Sequence, residues 1–129
     1  MAKEPVWVEK DAVLAIHDIN IARHGGLEGV RDANLLESAL SRPQNLFGYG
    51  SPDLFDLAAS YAFGLARNHP FADANKRTAF VVMRLFLKLN GYALAAEKTE
   101  RIKIMLALAE GKMTEAEFAA WLRRNSTAL

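Results

Sequence analysis

Residues 69–77 place a base, a carboxylate, an amide and two cations immediately before an apolar stretch. The string reads His-Pro-Phe-Ala-Asp-Ala-Asn-Lys-Arg. A helix that begins at its end points unpaired N–H groups and the positive end of its dipole at the string, and both favour an anion. Cations in a first helical turn are electrostatically misplaced unless an anion offsets their charge. Lys76 and Arg77 therefore indicate a phosphate-binding site.

Each polar residue of the string has a role that its chemistry allows. His69 has a reference pKa of about 6.5, so its neutral ring can act as a general base for a hydroxyl proton. Asp73 is a hard oxygen ligand suited to a Mg²⁺ ion that phosphate oxygens share. Asn75 can orient phosphate or cap the helix, Lys76 supplies a mobile point charge, and Arg77 can bind two phosphate oxygens. Taken singly, these residues are ordinary caps and surface charges, and only the complete string favours a catalytic site.

Composition limits the classes of protein that can carry this site. The chain has 129 residues, 51% of them hydrophobic, which fits one globular domain over residues 1–129. Lys and Arg total 16 and Asp and Glu 15, and the net charge of +1 gives no general attraction to nucleic acid. No stretch reaches the roughly 20 apolar residues of a membrane helix, and residues 1–5 do not resemble a secretory signal. With no cysteine, disulfides and thiolate zinc sites are excluded, and we expect a cytoplasmic protein.

Apolar spacing near 3.6 residues and repeated stop signals predict an all-α chain of about six helices. The predicted helices are one that Asp11 caps and Gly25-Gly26 breaks, residues 34–42 after the cap Asp32 with Pro43 as the stop, residues 54–68 after the cap Asp53, residues 76–89 before Asn90-Gly91, one that Thr99 caps and Gly111 ends, and a last one with a Thr114/Glu117 capping box. Residues 92–96 are ambiguous between strand and coil.

Two segments of this helical plan bear directly on the site. The helix over residues 76–89 is apolar nearly all round, so we expect it at the centre of the domain, where it holds the preceding loop rigidly. Turn residues fill the stretch between Pro43 and Pro52, which predicts a mobile flap at residues 46–51.

The string at residues 69–77 resembles the signature of the Fic/Doc superfamily, H-P-F-x-[DE]-G-N-G-R, and matches the Doc branch more closely. The Doc pattern H-x-F-x-[DN]-A-N-K-R-T is met at each fixed position through Thr78. The similar segments upstream are Ile16-His17, Gly25-Gly26-Leu27, Gly29, Arg31-Asp32, residues 35–40 and Arg42-Pro43-Gln44, so the resemblance covers residues 10–95.

The resemblance implies the all-helical Fic fold and the activity of the Doc toxins. These are kinases that transfer the γ-phosphate of ATP to a threonine of elongation factor Tu and so arrest translation. By position, it implies His69 as the base, Asp73 as the Mg²⁺ ligand and Arg77 as a further catalytic residue. It assigns phosphate binding to backbone N–H groups near Ala74 and to the three side chains that follow, Asn75, Lys76 and Arg77.

Two positions separate the chain from adenylylating Fic proteins. Lys76 stands where their motif has its second glycine, and Phe80 stands where they carry a further arginine. Both changes argue against AMP transfer and agree with the Doc pattern. Phosphoryl transfer is therefore the predicted reaction, with protein adenylylation as the alternative.

The sequence has no match to the self-inhibitory segment of Fic proteins. Self-inhibited Fic proteins resemble one another in an [ST]-x-x-x-E-[GN] segment, whereas the two Glu-Gly pairs here, at Glu28 and Glu110, have His24 and Leu106 at the hydroxyl position. The resemblance thus implies an inhibitor in trans, a Phd-like antitoxin that docks a short segment beside the active site. The flap and the final helices are candidate surfaces for it.

Other classes of function have weaker support in the sequence. A catalytically silent binding module is one alternative. The sequence has no Walker-type G-x-x-x-x-G-K-[ST] string and no H-E-x-x-H, and its three histidines lack zinc-ligand spacing. Arg123-Arg124 as a DNA contact is a minor alternative, because arginines at a helix end also complement the helix dipole.

Overall fold

The computed structural model describes residues 3–129 and contains six helices and a small antiparallel sheet. The elements are α1 Lys10–His24, α2 Ala33–Tyr49, α3 Leu54–Asn68, α4 Asn75–Leu89, β1 Tyr92–Leu94, α5 Lys98–Ala109, α6 Glu115–Asn125 and β2 Ser126–Ala128. The predicted all-α class is confirmed. Residues 1 and 2, which the sequence analysis included in the single domain and in the segment read for a secretory signal, lie outside the described residues.

The most enclosed helix is α3, which contacts α2, α4, α5 and α6. Nine of its 15 residues are buried, against six of 15 in α4. Small residues allow this, since a Cβ on Gly64 would lie only 3.1 Å from the Cα of Ala39 in α2. The nearly continuous apolar character of residues 76–89 predicts α4 at the centre, but α4 exposes Lys76, Val81 and Arg84 along one face. Close helix approach depends on small side chains, and α3 is richer in them than α4.

Side-chain capping begins three of the helices where the sequence predicted it, at Asp32, Asp53 and Thr114. The predicted caps Asp11 and Thr99 are wrong. Each lies second in its helix, because α1 and α5 begin one residue earlier, after glutamates 9 and 97 that make no side-chain cap. A carboxylate in the first turn, such as that of Asp11, still complements the helix dipole.

The predicted stop at Pro43 is also wrong, and with it most of the predicted flap. Helix α2 continues through Pro43 to Tyr49, so only residues 50–53 connect it to α3. Proline removes one helical hydrogen bond but does not forbid the helix. Here the packing of Leu46 and Phe47 against the core offsets that loss. Residues 46–49 are thus a helical end with an exposed Tyr49 rather than a loop.

Residues 92–94, which the sequence leaves ambiguous between strand and coil, form a strand whose partner, residues 126–128, the sequence does not predict. Strand β2 pairs antiparallel with β1, Tyr92 opposite Ala128. A strand of three residues is too short to show a strand pattern in the sequence.

Ion pairs join the last turn of α6 to the start of α3, because Arg123 pairs with Asp53 and Asp56. Arg123, part of the minor DNA-contact alternative, is thus engaged in ion pairs within the fold.

Candidate active site

The loop between α3 and α4 is bounded by two residues in the left-handed region. His69 has φ 50° and Ala74 has φ 62°. Non-glycine residues rarely adopt this conformation, and each such residue costs roughly 1–2 kcal/mol. Between them, the Phe71 side chain is 1% exposed and anchors the loop in the core, as its apolar type predicts. The loop is therefore a fixed, sharply turned segment.

The chain before α2 runs along this loop and fixes its backbone. Ala72 donates its N–H to the carbonyl of Gly29 at 3.0 Å, and Arg31 donates its N–H to the carbonyl of Pro70 at 2.8 Å. The Arg31 guanidinium also donates to the carbonyl of His69 at 2.8 Å. The His69 backbone is held in this way while its ring stays exposed to solvent. Arg31 is not predictable as a contact of this loop, because no local sequence pattern indicates a partner 38 positions away.

Asn75 is a clamp within the loop. Its Oδ1 accepts the N–H of Phe71 at 3.0 Å, and its Nδ2 donates to the carbonyl of Phe71 at 3.1 Å. The suggestion that Asn75 caps α4 is wrong, because the N-cap is Ala74 and α4 has no side-chain cap. One N–H of the Asn75 amide remains for a ligand.

Both oxygens of the Asp73 carboxylate accept backbone hydrogen bonds. Oδ1 accepts from Ala74 at 2.8 Å and Oδ2 from Leu27 at 3.2 Å. The bond from Ala74, then that from Leu27, and then the positive charge of Arg77 hold the pKa of Asp73 below its usual value. The carboxylate is therefore ionised at neutral pH. Each oxygen keeps a lone pair that can bind a metal ion.

His17 on α1 is a residue near the site that the sequence analysis did not single out. Its ring is 1% exposed and stacks on Phe71, with centroids 3.9 Å apart and planes 8° from parallel. Its Nε2 lies 3.0 Å from the backbone oxygen of Asp73. In the sequence, His17 stands out only through the family resemblance. The one local signal for its role is that a histidine lies on the apolar face of α1, near Ile16 and Ile21.

The two cations of the string lie between the loop and a neighbouring groove. Arg77 donates to the carbonyl of Gly25 at 3.3 Å, so its guanidinium reaches the chain that follows α1. Lys76 and Arg77 also line a groove of about 370 Å³ between the end of α1, the start of α4 and α5. The other lining residues are Asn20, His24, Phe80, Val81, Lys98, Arg101, Ile102, Met105 and Leu106. His69 and Asp73 do not line it, so the structure brings the cations to both the loop and the groove.

Comparison with known proteins gives this loop its context. The profile of the Fic/DOC family matches residues 7–87, from before α1 to near the end of α4. The chain belongs to the Fic/DOC family. Among its relatives, a protein named Protein kinase doc from Escherichia phage P1 is 36% identical over 118 residues, covering 91% of this chain and 93% of that protein. A protein named Toxin Doc from Mycolicibacterium smegmatis is 47% identical over 93 residues, covering 70% of this chain and 69% of that protein. The resemblance inferred from residues 69–78 is confirmed.

Within residues 3–129, no group of three or more His, Cys, Asp or Glu side chains is arranged to hold a metal ion. No helix among the described elements has the length and apolar character needed to span a membrane.

Proposed function

We propose that the chain is a Doc-type toxin and a protein kinase that transfers the γ-phosphate of ATP to a threonine of elongation factor Tu. The observation that carries the proposal is the ionised Asp73 carboxylate, held by two backbone N–H groups directly before a helix whose first turn bears Lys76 and Arg77. Membership of the Fic/DOC family and the names of the two relatives support the same reading. A substrate of this kind fits the expected cytoplasmic location.

His69 is the general base of the proposed reaction. Its exposed ring sits on a backbone fixed by Arg31, so it can meet a hydroxyl group of a bound protein segment. The ring nitrogen takes the threonine proton as the hydroxyl oxygen bonds to the γ-phosphorus. The bond from that phosphorus to the bridging oxygen breaks, and ADP leaves with the electron pair.

Asp73 is the proposed ligand for Mg²⁺. A single ionised carboxylate fits this ion, because Mg²⁺ commonly completes its octahedral shell with phosphate oxygens and water. When bound, the ion neutralises charge on the phosphate oxygens.

The start of α4 is the proposed phosphate cradle. Thr78 donates the first backbone hydrogen bond of the helix, to Ala74, so the N–H groups of residues 75–77 precede that ladder. The Ala74 N–H is already bonded to Asp73 and contributes by orienting the carboxylate. The side chains of Asn75, Lys76 and Arg77 supply the remaining donors and the positive charge.

Protein adenylylation is the second candidate, and one observation favours it. Phe80 replaces the further arginine of adenylylating Fic proteins, but the guanidinium of Arg101 on α5 lies 5.3 Å from the Phe80 ring centroid. A second guanidinium thus lines the groove beside Lys76 and Arg77. Arg101→Ala separates the two reactions, because AMP transfer assisted by Arg101 falls in this variant and phosphoryl transfer through Arg77 does not.

Labelled nucleotide tests the proposal directly. Purified protein is incubated with elongation factor Tu, Mg²⁺ and ATP labelled either at the α- or at the γ-phosphate. The kinase reaction transfers only the γ label, and transfer is lost in His69→Ala and Asp73→Asn. Transfer of the α label would establish adenylylation instead. Growth arrest that persists in both variants would indicate a binding module without catalysis.

A Phd-like antitoxin is the proposed partner, and the groove is its proposed docking site. The groove exposes Val81, Ile102 and Leu106 and carries only basic charged side chains, which fits an amphipathic acidic segment. An occupant would cover Lys76 and Arg77 and so block phosphate binding. The sequence predicts the flap and the final helices as candidate surfaces for the antitoxin. The groove is lined by one of these helices, α5, and by no residue of the flap. Leu106→Glu should keep growth arrest but escape a co-expressed antitoxin, whereas the control Leu89→Glu, also exposed, should remain neutralised.

A further inference from the structure

His17 is placed to act on the active-site loop from inside the protein. Its Nε2 is 3.0 Å from the backbone oxygen of Asp73, and its buried ring stacks on Phe71. A carbonyl oxygen can only accept a hydrogen bond, so Nε2 carries the proton in this contact. The contact joins α1 to the residue that bears the proposed metal ligand.

The hydrogen bond reaches the carboxylate through one rigid peptide unit. The carbonyl of Asp73 and the N–H of Ala74 belong to the same planar group and point in opposite directions. His17 holds the carbonyl end, and the N–H end donates to Oδ1 of Asp73 at 2.8 Å. Fixing the plane therefore fixes the donor that orients one carboxylate oxygen.

The other carboxylate oxygen is held from the same helix. Leu27, three residues beyond the end of α1 at His24, donates its N–H to Oδ2 of Asp73 at 3.2 Å. Thus α1 acts on both oxygens, on one through His17 and the peptide plane and on the other through the chain that follows the helix. Asp73 itself is exposed, and these contacts fix its direction without burying it.

We propose that His17 is a positioning residue that aims the Asp73 carboxylate at the metal and phosphate site. This inference rests on the proposed function, in which Asp73 binds Mg²⁺ shared with ATP. His17 does not touch the substrate. Its contribution is the direction of the Asp73–Ala74 peptide, and a side chain that keeps an N–H donor at the same reach should retain part of it.

Three substitutions separate the N–H donor from the ring. His17→Phe keeps a ring for stacking on Phe71 and loses the donor. His17→Gln and His17→Met have similar length and both lack the ring, but only glutamine can donate to the Asp73 carbonyl. Asp18→Asn, at an exposed position of α1, is the control.

Two measurements are made on each variant. Calorimetry gives the ATP affinity with Mg²⁺ and with EDTA, and the ratio of the two reports the metal-dependent gain. NMR gives the exchange rate of the Ala74 amide hydrogen. In the Phe and Met variants, we expect the metal-dependent gain in ATP affinity to be about tenfold smaller than in the wild type. The Ala74 amide hydrogen should exchange about tenfold faster. Both factors correspond to the free energy of about one hydrogen bond. The Gln variant should recover part of both changes, and ATP affinity in EDTA should not change.

Equal behaviour of the Gln and Met variants would overturn the proposal, as would a Phe variant with the wild-type gain and exchange rate. The proposal would also be overturned if all three variants failed to fold, because that result would give His17 a structural role alone. A wild-type protein without any metal-dependent gain contradicts the proposed function. The Ala74 exchange rates then decide the orienting role of His17 by themselves.

Discussion

The side chain of Asn75 and the backbone of Phe71 are joined by two hydrogen bonds that run in opposite directions, one at 3.0 Å and one at 3.1 Å. They close the loop between the residue that anchors it in the core and the residue that begins α4. His69 and Asp73, the proposed general base and the proposed metal ligand, lie on either side of Phe71. The spacing between them therefore depends on this closure.

Replacement of Asn75 tests the closure. Asn75→Ala removes both bonds, so we expect a loss of roughly 1–3 kcal/mol in the free energy of unfolding and a drop of about 10²-fold in the rate of phosphoryl transfer. Urea unfolding and the labelled-ATP assay measure the two effects. Asn45→Ala, at an exposed position of α2, is the control and should change neither quantity. A wild-type rate in Asn75→Ala would contradict the clamp.

Gly26 lies against the Asp73 carboxylate, where a Cβ would come within 2.7 Å of Oδ2. Gly26→Ala should therefore displace the carboxylate and lower the transfer rate by about 10–10²-fold. Gly29→Ala is the matched control, because both glycines have positive φ, 123° and 96°, but a Cβ on Gly29 meets nothing within 4 Å. Both variants should lose stability through backbone strain. Equal loss of activity in the two would show that strain, and not the contact with Asp73, is the cause.

Tyr61 should make stability sensitive to alkaline pH. Its burial raises its pKa to about 12, and its hydroxyl oxygen accepts the N–H of Val8 at 3.0 Å. The unfolded chain ionises this tyrosine at about pH 10, so the neutral form stabilises the fold below pH 10 and this contribution is lost as pH rises towards 12. The slope is about 1.4 kcal/mol per pH unit within that window.

Tyr61→Phe provides the comparison. At neutral pH it should be less stable by roughly 1–3 kcal/mol, because the buried Val8 N–H loses its acceptor. Urea unfolding at several pH values should show this difference shrinking between about pH 10 and pH 12. A difference that stays constant across the window would contradict the raised pKa of Tyr61.

The sequence predicted the helices and the position of the loop well, because both are written in local patterns. The caps Asp32, Asp53 and Thr114 act within three residues of themselves. Pro43 shows the limit of such reasoning. Its local preference ends a helix, but the decisive term is the packing of Leu46 and Phe47 on a core built from other helices.

The geometry of the site was less accessible from sequence. The string at residues 69–77 predicts the chemistry, but the contacts of His17 and Arg31 join positions that are 56 and 38 residues apart. The residue type of Asn75 suits both phosphate binding and helix capping, and nothing in the string indicates that its amide faces Phe71. Long-range contacts of this kind depend on how α1 and α2 pack, which a single sequence does not specify.

The most direct test of the central claim is the intact mass of elongation factor Tu after incubation with this protein, ATP and Mg²⁺. Phosphoryl transfer predicts a mass increase of one phosphate group with wild-type protein and no increase with His69→Ala. An increase equal to one AMP, or a phosphate increase that His69→Ala leaves unchanged, would contradict the account.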